Sequence, residues 1–88
     1  MEDGFKLISN LAQPNVTWCE SQDLVALHST NSNLVEIYRI TFEIEKIVQK
    51  PMTAKISCLK FSKDGSMCLI GLSDGHIGIY KAETLQEI

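Results

Sequence analysis

Apolar residues in this chain come in short runs, interrupted every eight to twelve positions by clusters of Ser, Asn, Asp and Gly. That spacing predicts an all-β meander of strands about five residues long. Residues 5–8 form the first run, and residues 10–15, with Pro14, break it. Val16, Thr17 and Trp18 alternate as a half-buried strand does. Residues 20–23 form a polar turn, and residues 24–27 are continuously apolar, as in a strand covered on both faces. Residues 30–33 (Thr-Asn-Ser-Asn) predict a hairpin loop, because Asn and Ser bond their own backbone in tight turns. Residues 34–42 carry Val35, Ile37 and Tyr38, which favour a pleated surface. Residues 40–50 fit two patterns. Ile40, Ile44, Ile47 and Val48 have the spacing of one helix face, while the internal repeat places an outer strand there. The strand is the favoured reading, and Pro51 ends the element in either case.

The second half is cleaner. Residues 56–61 predict a strand with Leu59 and Phe61 on one face. Residues 62–65 predict a turn in which Gly65 takes a positive φ. Residues 67–72 are again continuously apolar, and Asp74-Gly75 marks a hairpin before Ile77 and Ile79. Residues 81–84 turn, and residues 85–88 open a further element. The two halves repeat. Trp18 recurs as Phe61, 43 positions on, and Tyr38 recurs as Tyr80, 42 positions on, so the register slips by one inside a turn. Each unit holds about four strands and cannot bury its faces alone.

The segment Leu59-Lys60-Phe61-Ser62-Lys63-Asp64-Gly65, followed by Ser73-Asp74-Gly75 and a strand ending in Tyr80, resembles a WD40 repeat. The first unit is a degenerate copy that keeps Trp18 and residues 34–38 but lacks both Asp-Gly turns. Neither unit ends in Trp-Asp, since Tyr38-Arg39 and Tyr80-Lys81 stand there, and no Gly-His pair precedes either. The Asp–His–Ser/Thr–Trp network of strong repeats therefore cannot be assigned. The order of a short strand, Val16-Thr17-Trp18, Asp23-Leu24-Val25-Ala26 and then Cys58-Leu59-Lys60-Phe61 before Asp64-Gly65 is similar to the WD40 domain that opens anaphase-promoting complex subunit 4. The resemblance implies an N-terminal portion of a larger propeller. A short strand lies at 5–10, blade one at about 15–50 and blade two at about 56–88. Closed propellers have four or more blades, so two units imply a fragment, a truncated gene model or a short isoform. The implied role is that of a non-catalytic scaffold in a cell-cycle ubiquitin ligase, in nucleus or cytoplasm, with the other subunits of the complex as partners. Propeller scaffolds of vesicle-coat and intraflagellar-transport complexes open similarly and are the alternative.

Composition adds limits. The chain has 88 residues, 44% hydrophobic and 22% charged, which is globular composition for one small domain at most. A net charge of −3 supplies no footprint for nucleic acid. No apolar run is long enough to span a membrane, and Glu2 and Asp3 stand where a signal peptide carries bases. Three cysteines, Cys19, Cys58 and Cys68, with no CxxC spacing, predict reduced thiols. Asn15-Val16-Thr17 matches a glycosylation sequon, which carries little weight without a secretory signal.

No catalytic, cofactor-binding or metal-binding residue is expected, nor a small-molecule substrate. Glu43 and Glu45 share one side of a strand and could in principle do acid–base work, but they read as a solvated outer strand. His28 and His76 lack the tight pairing of zinc ligands with Cys19 or Cys68. Gly65, Gly71, Gly75 and Gly78 match no phosphate loop. Phe5, Trp18, Tyr38, Phe42, Phe61 and Tyr80 read as core packing rather than base-stacking groups. The expected anchors of the blades are Trp18, Leu24, Ala26, Ile37, Leu59, Phe61, Leu69, Ile77 and Ile79. Partner contact is expected at the turns 20–23, 30–33, 62–66 and 73–76.

Overall fold

The structure is a computed structural model that describes residues 15–29 and 31–88. The strand expected at 5–10, with Phe5, and Thr30 of the second turn lie outside the described residues. Among the described residues, seven strands form two antiparallel sheets. The first sheet contains β1 (Asn15–Cys19), β2 (Leu24–His28), β3 (Leu34–Ile40) and β4 (Ile44–Pro51), in that order. The second contains β5 (Ile56–Phe61), β6 (Met67–Leu72) and β7 (Ile77–Lys81). A single 3₁₀ turn, Glu20–Gln22, joins β1 to β2.

The second sheet begins a fourth strand along β7. Lys81 N donates to Gln86 O at 2.9 Å, Ile88 N donates to Ile79 O at 2.8 Å, and Tyr80 bridges Glu87. Leu85 makes the preceding corner at φ 55 with its side chain fully buried.

Residues 40–50 are strand, and the helix-like spacing has a specific origin. The pairing of β3 with β4 shifts between Ile37↔Val48 and Tyr38↔Lys46, which leaves Ile47 as the extra residue of a β-bulge. Ile47 and Val48, adjacent in sequence, therefore both pack against the core. Ile44 remains exposed, and Phe42, expected in the core, is fully exposed between β3 and β4. A residue in the turn joining two outer strands has no neighbouring sheet to reach.

Each sheet has two distinct faces. Cys19, Leu24, Ala26, Val35 and Ile37 of the first pack with Leu59, Cys68, Ile70 and Tyr80 of the second in one cluster, and Phe61 lies partly buried against it. Val25, Leu27 and Tyr38 form a smaller cluster with Leu34 and Ile40 on the opposite face of the first sheet. There Glu36 is buried, accepting a hydrogen bond from Tyr38 Oη at 2.5 Å, with Lys46 Nζ 3.7 Å from the same oxygen. A buried carboxylate needs such partners to offset its lost hydration.

Polar contacts lock the sheets at both ends. Ser21 Oγ donates to Lys63 O at 3.2 Å, and Gln22 Nε2 donates to Asp64 O at 3.0 Å. At the other end Ile56 N of β5 donates to Ser32 O at 3.3 Å, while Asn33 Nδ2 donates to Met52 O and Met52 N to Asn33 O, extending the β3–β4 pairing of the first sheet by one step. Gly65 sits under the first lock at φ 76, where a Cβ would lie 2.3 Å from Gln22 Cγ and 2.7 Å from Cys19 Sγ. Gly75 has φ 95 but nothing within 4 Å of such a Cβ. Gly75→Ala should therefore cost only the left-handed backbone penalty of about 1–2 kcal/mol. Gly65→Ala should add overpacking and reach about 3 kcal/mol or more. Urea unfolding of the two variants checks the difference, and equal losses would contradict the lock.

Candidate interaction surface

The outward face of the second sheet is apolar and open. Cross-strand pairing puts Lys60, Leu69 and Ile79 in one row, Met67 beside Lys81, and Ile77 beside Gly71. Met67 is 40% exposed, Leu69 39%, Ile77 70% and Ile79 47%. A shallow groove of about 290 Å³ runs along part of this face past Met67, Leu69 and Ile79. Three expected anchors, Leu69, Ile77 and Ile79, are therefore not buried. They alternate with Ile70, Gly78 and Tyr80, which face the first sheet, so they point the other way. Trp18 is likewise 48% exposed, because it pairs with Val25 on the face of the first sheet turned away from the second. Leu24, Ala26, Ile37 and Leu59 are buried as expected.

The repeat explains this surface. The shift of 43 or 42 positions carries Leu24, Ala26, Val35 and Ile37 onto Met67, Leu69, Ile77 and Ile79. The first four have no exposure at all, because the second sheet covers them. The same shift carries Val16, Trp18, Val25, Leu27 and Tyr38 onto Leu59, Phe61, Cys68, Ile70 and Tyr80, which form the face that does the covering. Unlike faces meet, so the open face has the residue pattern of one already seen to accept a sheet.

Three of the four expected contact turns are committed to the fold. The turn at 20–23 and the turn at 62–66 bind each other through Ser21 and Gln22, and Asn33 and Ser32 bond across to Met52 and Ile56. The turn at 73–76 projects freely beyond the Ser73 N–Lys55 O bond. In it His76 N donates to Asp74 Oδ1 at 3.1 Å and His76 Nδ1 lies 2.9 Å from Asp74 Oδ2, which draws the Asp74 carboxyl below its ordinary pKa. Asp64 accepts from Ser66 N, Ser66 Oγ and Ser62 Oγ, which hold its pKa down to about 2.

The residues weighed for chemistry do not converge. Among the described residues no three His, Cys, Asp or Glu side chains are grouped to hold a metal ion. Glu43 lies in the exposed β3–β4 turn and Glu45 is exposed on β4 beside Arg39. All three cysteines are free. Cys58 is exposed, and burial pushes the Cys68 thiol up to about 11. His28 is buried at the end of β2, its Nδ1 has no partner among the described residues, and burial lowers its pKa below the ordinary 6.5. No helix among the described residues is long and apolar enough to cross a membrane.

Two consecutive sheets of this topology, stacked through unlike faces and related by a repeat of 42 to 43 residues, define WD40-type blades of a β-propeller. The family model for the anaphase-promoting complex subunit 4 WD40 domain matches residues 16–88, and the chain belongs to that family. No curated protein matches the chain. The chain thus carries a WD40 protein-interaction module.

Two outcomes follow from the geometry. Ile37→Ala should destabilise the chain by about 2–5 kcal/mol, whereas Ile79→Ala, its open counterpart, should cost about 1 kcal/mol or less. Denaturant melts of both variants test the assignment of faces. The second outcome concerns acid. Below pH 6.5 the unfolded chain protonates His28 while the folded chain resists, so the unfolded state binds more protons. Stability should be flat above pH 6.5 and should fall, by at most about 1.4 kcal/mol per pH unit, as the pH drops towards the lowered folded value. His28→Phe should remove that slope, as urea midpoints at neutral and mildly acidic pH would show.

Proposed function

We propose that this chain is a non-catalytic scaffold segment of an anaphase-promoting-complex-type ubiquitin ligase, in which its two blades open a propeller. The observation that carries the reading is the family match over residues 16–88, taken together with the open face of Met67, Leu69, Ile77 and Ile79. An apolar sheet face with the residue pattern of a covered one calls for a further blade. Protein surfaces, not a small-molecule pocket, are the working parts in this reading. The partners are the other subunits of the ligase, and the place of action is the nucleus or cytoplasm of dividing cells. Blade one spans about 15–50 and blade two about 56–88.

Affinity purification of the endogenous protein, with mass spectrometry of everything retained, tests the assignment. The expected result is recovery of cullin-like and RING subunits in stoichiometric amounts. Recovery of coat or intraflagellar-transport subunits instead would overturn it and leave only the interaction module standing.

A further inference from the structure

The turn that joins β3 to β4 carries Phe42, whose side chain is fully exposed, at 104%. Nothing in the fold requires an apolar residue there. A tight turn favours small or polar residues, as the turns at 62–66 and 73–76 show with their Ser, Asp and Gly. The repeat does not require it either. Thr84 stands 42 positions on from Phe42, exposed in the corresponding turn of the second sheet. A phenylalanine held wholly in water forgoes the burial its ring would gain elsewhere.

The tip that presents Phe42 is braced. Ile40 N at its base donates to Asp23 O at 2.9 Å, and Thr41 N donates to Glu43 O at 3.1 Å across it. Asp23 ends the turn whose Ser21 and Gln22 bind the Lys63–Asp64 backbone, so the hairpin is tied through that turn to the second sheet. An exposed aromatic side chain on a fixed backbone loses little freedom on binding and suits an interface. The side chains beside it are acidic. Glu43 and Glu45 are exposed, and neither forms an ion pair among the described residues. The bases of the same hairpin are engaged elsewhere: Arg39 pairs with Glu83 at 2.8 Å, and Lys46 Nζ donates to Gln49 Oε1 at 2.8 Å.

We propose that Phe42 is a plug: its ring enters an apolar pocket on a partner protein, and Lys or Arg side chains at the mouth of that pocket meet Glu43 and Glu45. The ring supplies most of the affinity, and the two carboxylates select the sign of the partner and its orientation. The same carboxylates weigh against an anionic lipid surface, the other medium that takes up an exposed ring. The tip stands at the end of the first sheet, not on either of its faces, so stacking of further blades does not use it. The proposal rests on the interaction-module reading and not on which complex the chain joins.

The test introduces Phe42→benzoylphenylalanine, a photo-crosslinker, into the full chain in dividing cells and maps the adducts by mass spectrometry. The expected result is adducts on one partner protein, at apolar residues with Lys or Arg among their neighbours. Thr84→benzoylphenylalanine, in the corresponding turn, should give about tenfold less adduct. Phe42→Ser should keep the urea midpoint and lower recovery of that partner about tenfold or more. The double variant Glu43→Lys, Glu45→Lys should lower it about three- to tenfold, as two exposed ion pairs warrant. The proposal would be overturned by no adduct at position 42, by adducts spread evenly over many proteins, or by adducts only on lipid. Adducts rimmed by acidic residues, or unchanged recovery with Phe42→Ser, would overturn it too. Adducts of the expected kind on a coat or transport subunit would uphold the plug and sink only the ligase assignment. Ligase subunits recovered equally well with Phe42→Ser would sink only the plug.

Discussion

Leu24, Ala26, Val35 and Ile37 on one sheet meet Leu59, Cys68, Ile70 and Tyr80 on the other, and the remaining features depend on that contact. A single small sheet has too little buried surface for independent stability. The contact supplies the surface by joining two different faces rather than two copies of one face. Joining like faces would terminate with two sheets. Joining unlike faces leaves one face of each kind unused at the ends, and such stacking continues until a ring closes. The open row of Met67, Leu69, Ile77 and Ile79 is thus a consequence of how the first pair is held together.

Apolar contact is non-directional and does not by itself set how one sheet lies on another. The polar contacts at the two ends do that. Ser21 and Gln22 grip the Lys63–Asp64 backbone at one end, and Ile56 N bonds Ser32 O at the other. Gly65 is required between them because no side chain fits under Gln22 and Cys19. Along the sides, Lys50 Nζ donates to Leu85 O at 2.9 Å and lies 5.6 Å from the centre of the Tyr80 ring. Arg39 pairs with Glu83 at 2.8 Å, but both are substantially exposed, so the pair contributes little.

The strands were legible in the sequence because turn residues punctuate it at strand spacing, and the repeat made their number and order legible too. The side of each strand that is covered was harder to read. In residues 67–72 every position is apolar, so alternation marks neither face, and burial depends on which neighbour is present. That is why Leu69 and Ile79 are open while Ala26 and Ile37, their equivalents, are closed. The bulge at Ile47 was hidden for a related reason. An extra residue in a strand brings two adjacent side chains to one side and imitates helical spacing. The turns at 20–23 and 62–66 read as free loops because a hydrogen bond between segments 42 residues apart leaves no local signal.

The fold perturbs five titratable groups among the described residues, each for a local reason. Burial raises Cys68 and its cross-strand neighbour Tyr80 and lowers His28 at the end of β2. Asp64 and Asp74 are lowered because each carboxylate accepts hydrogen bonds from its own turn. What remains at the surface is shape: an apolar face patterned to take another blade.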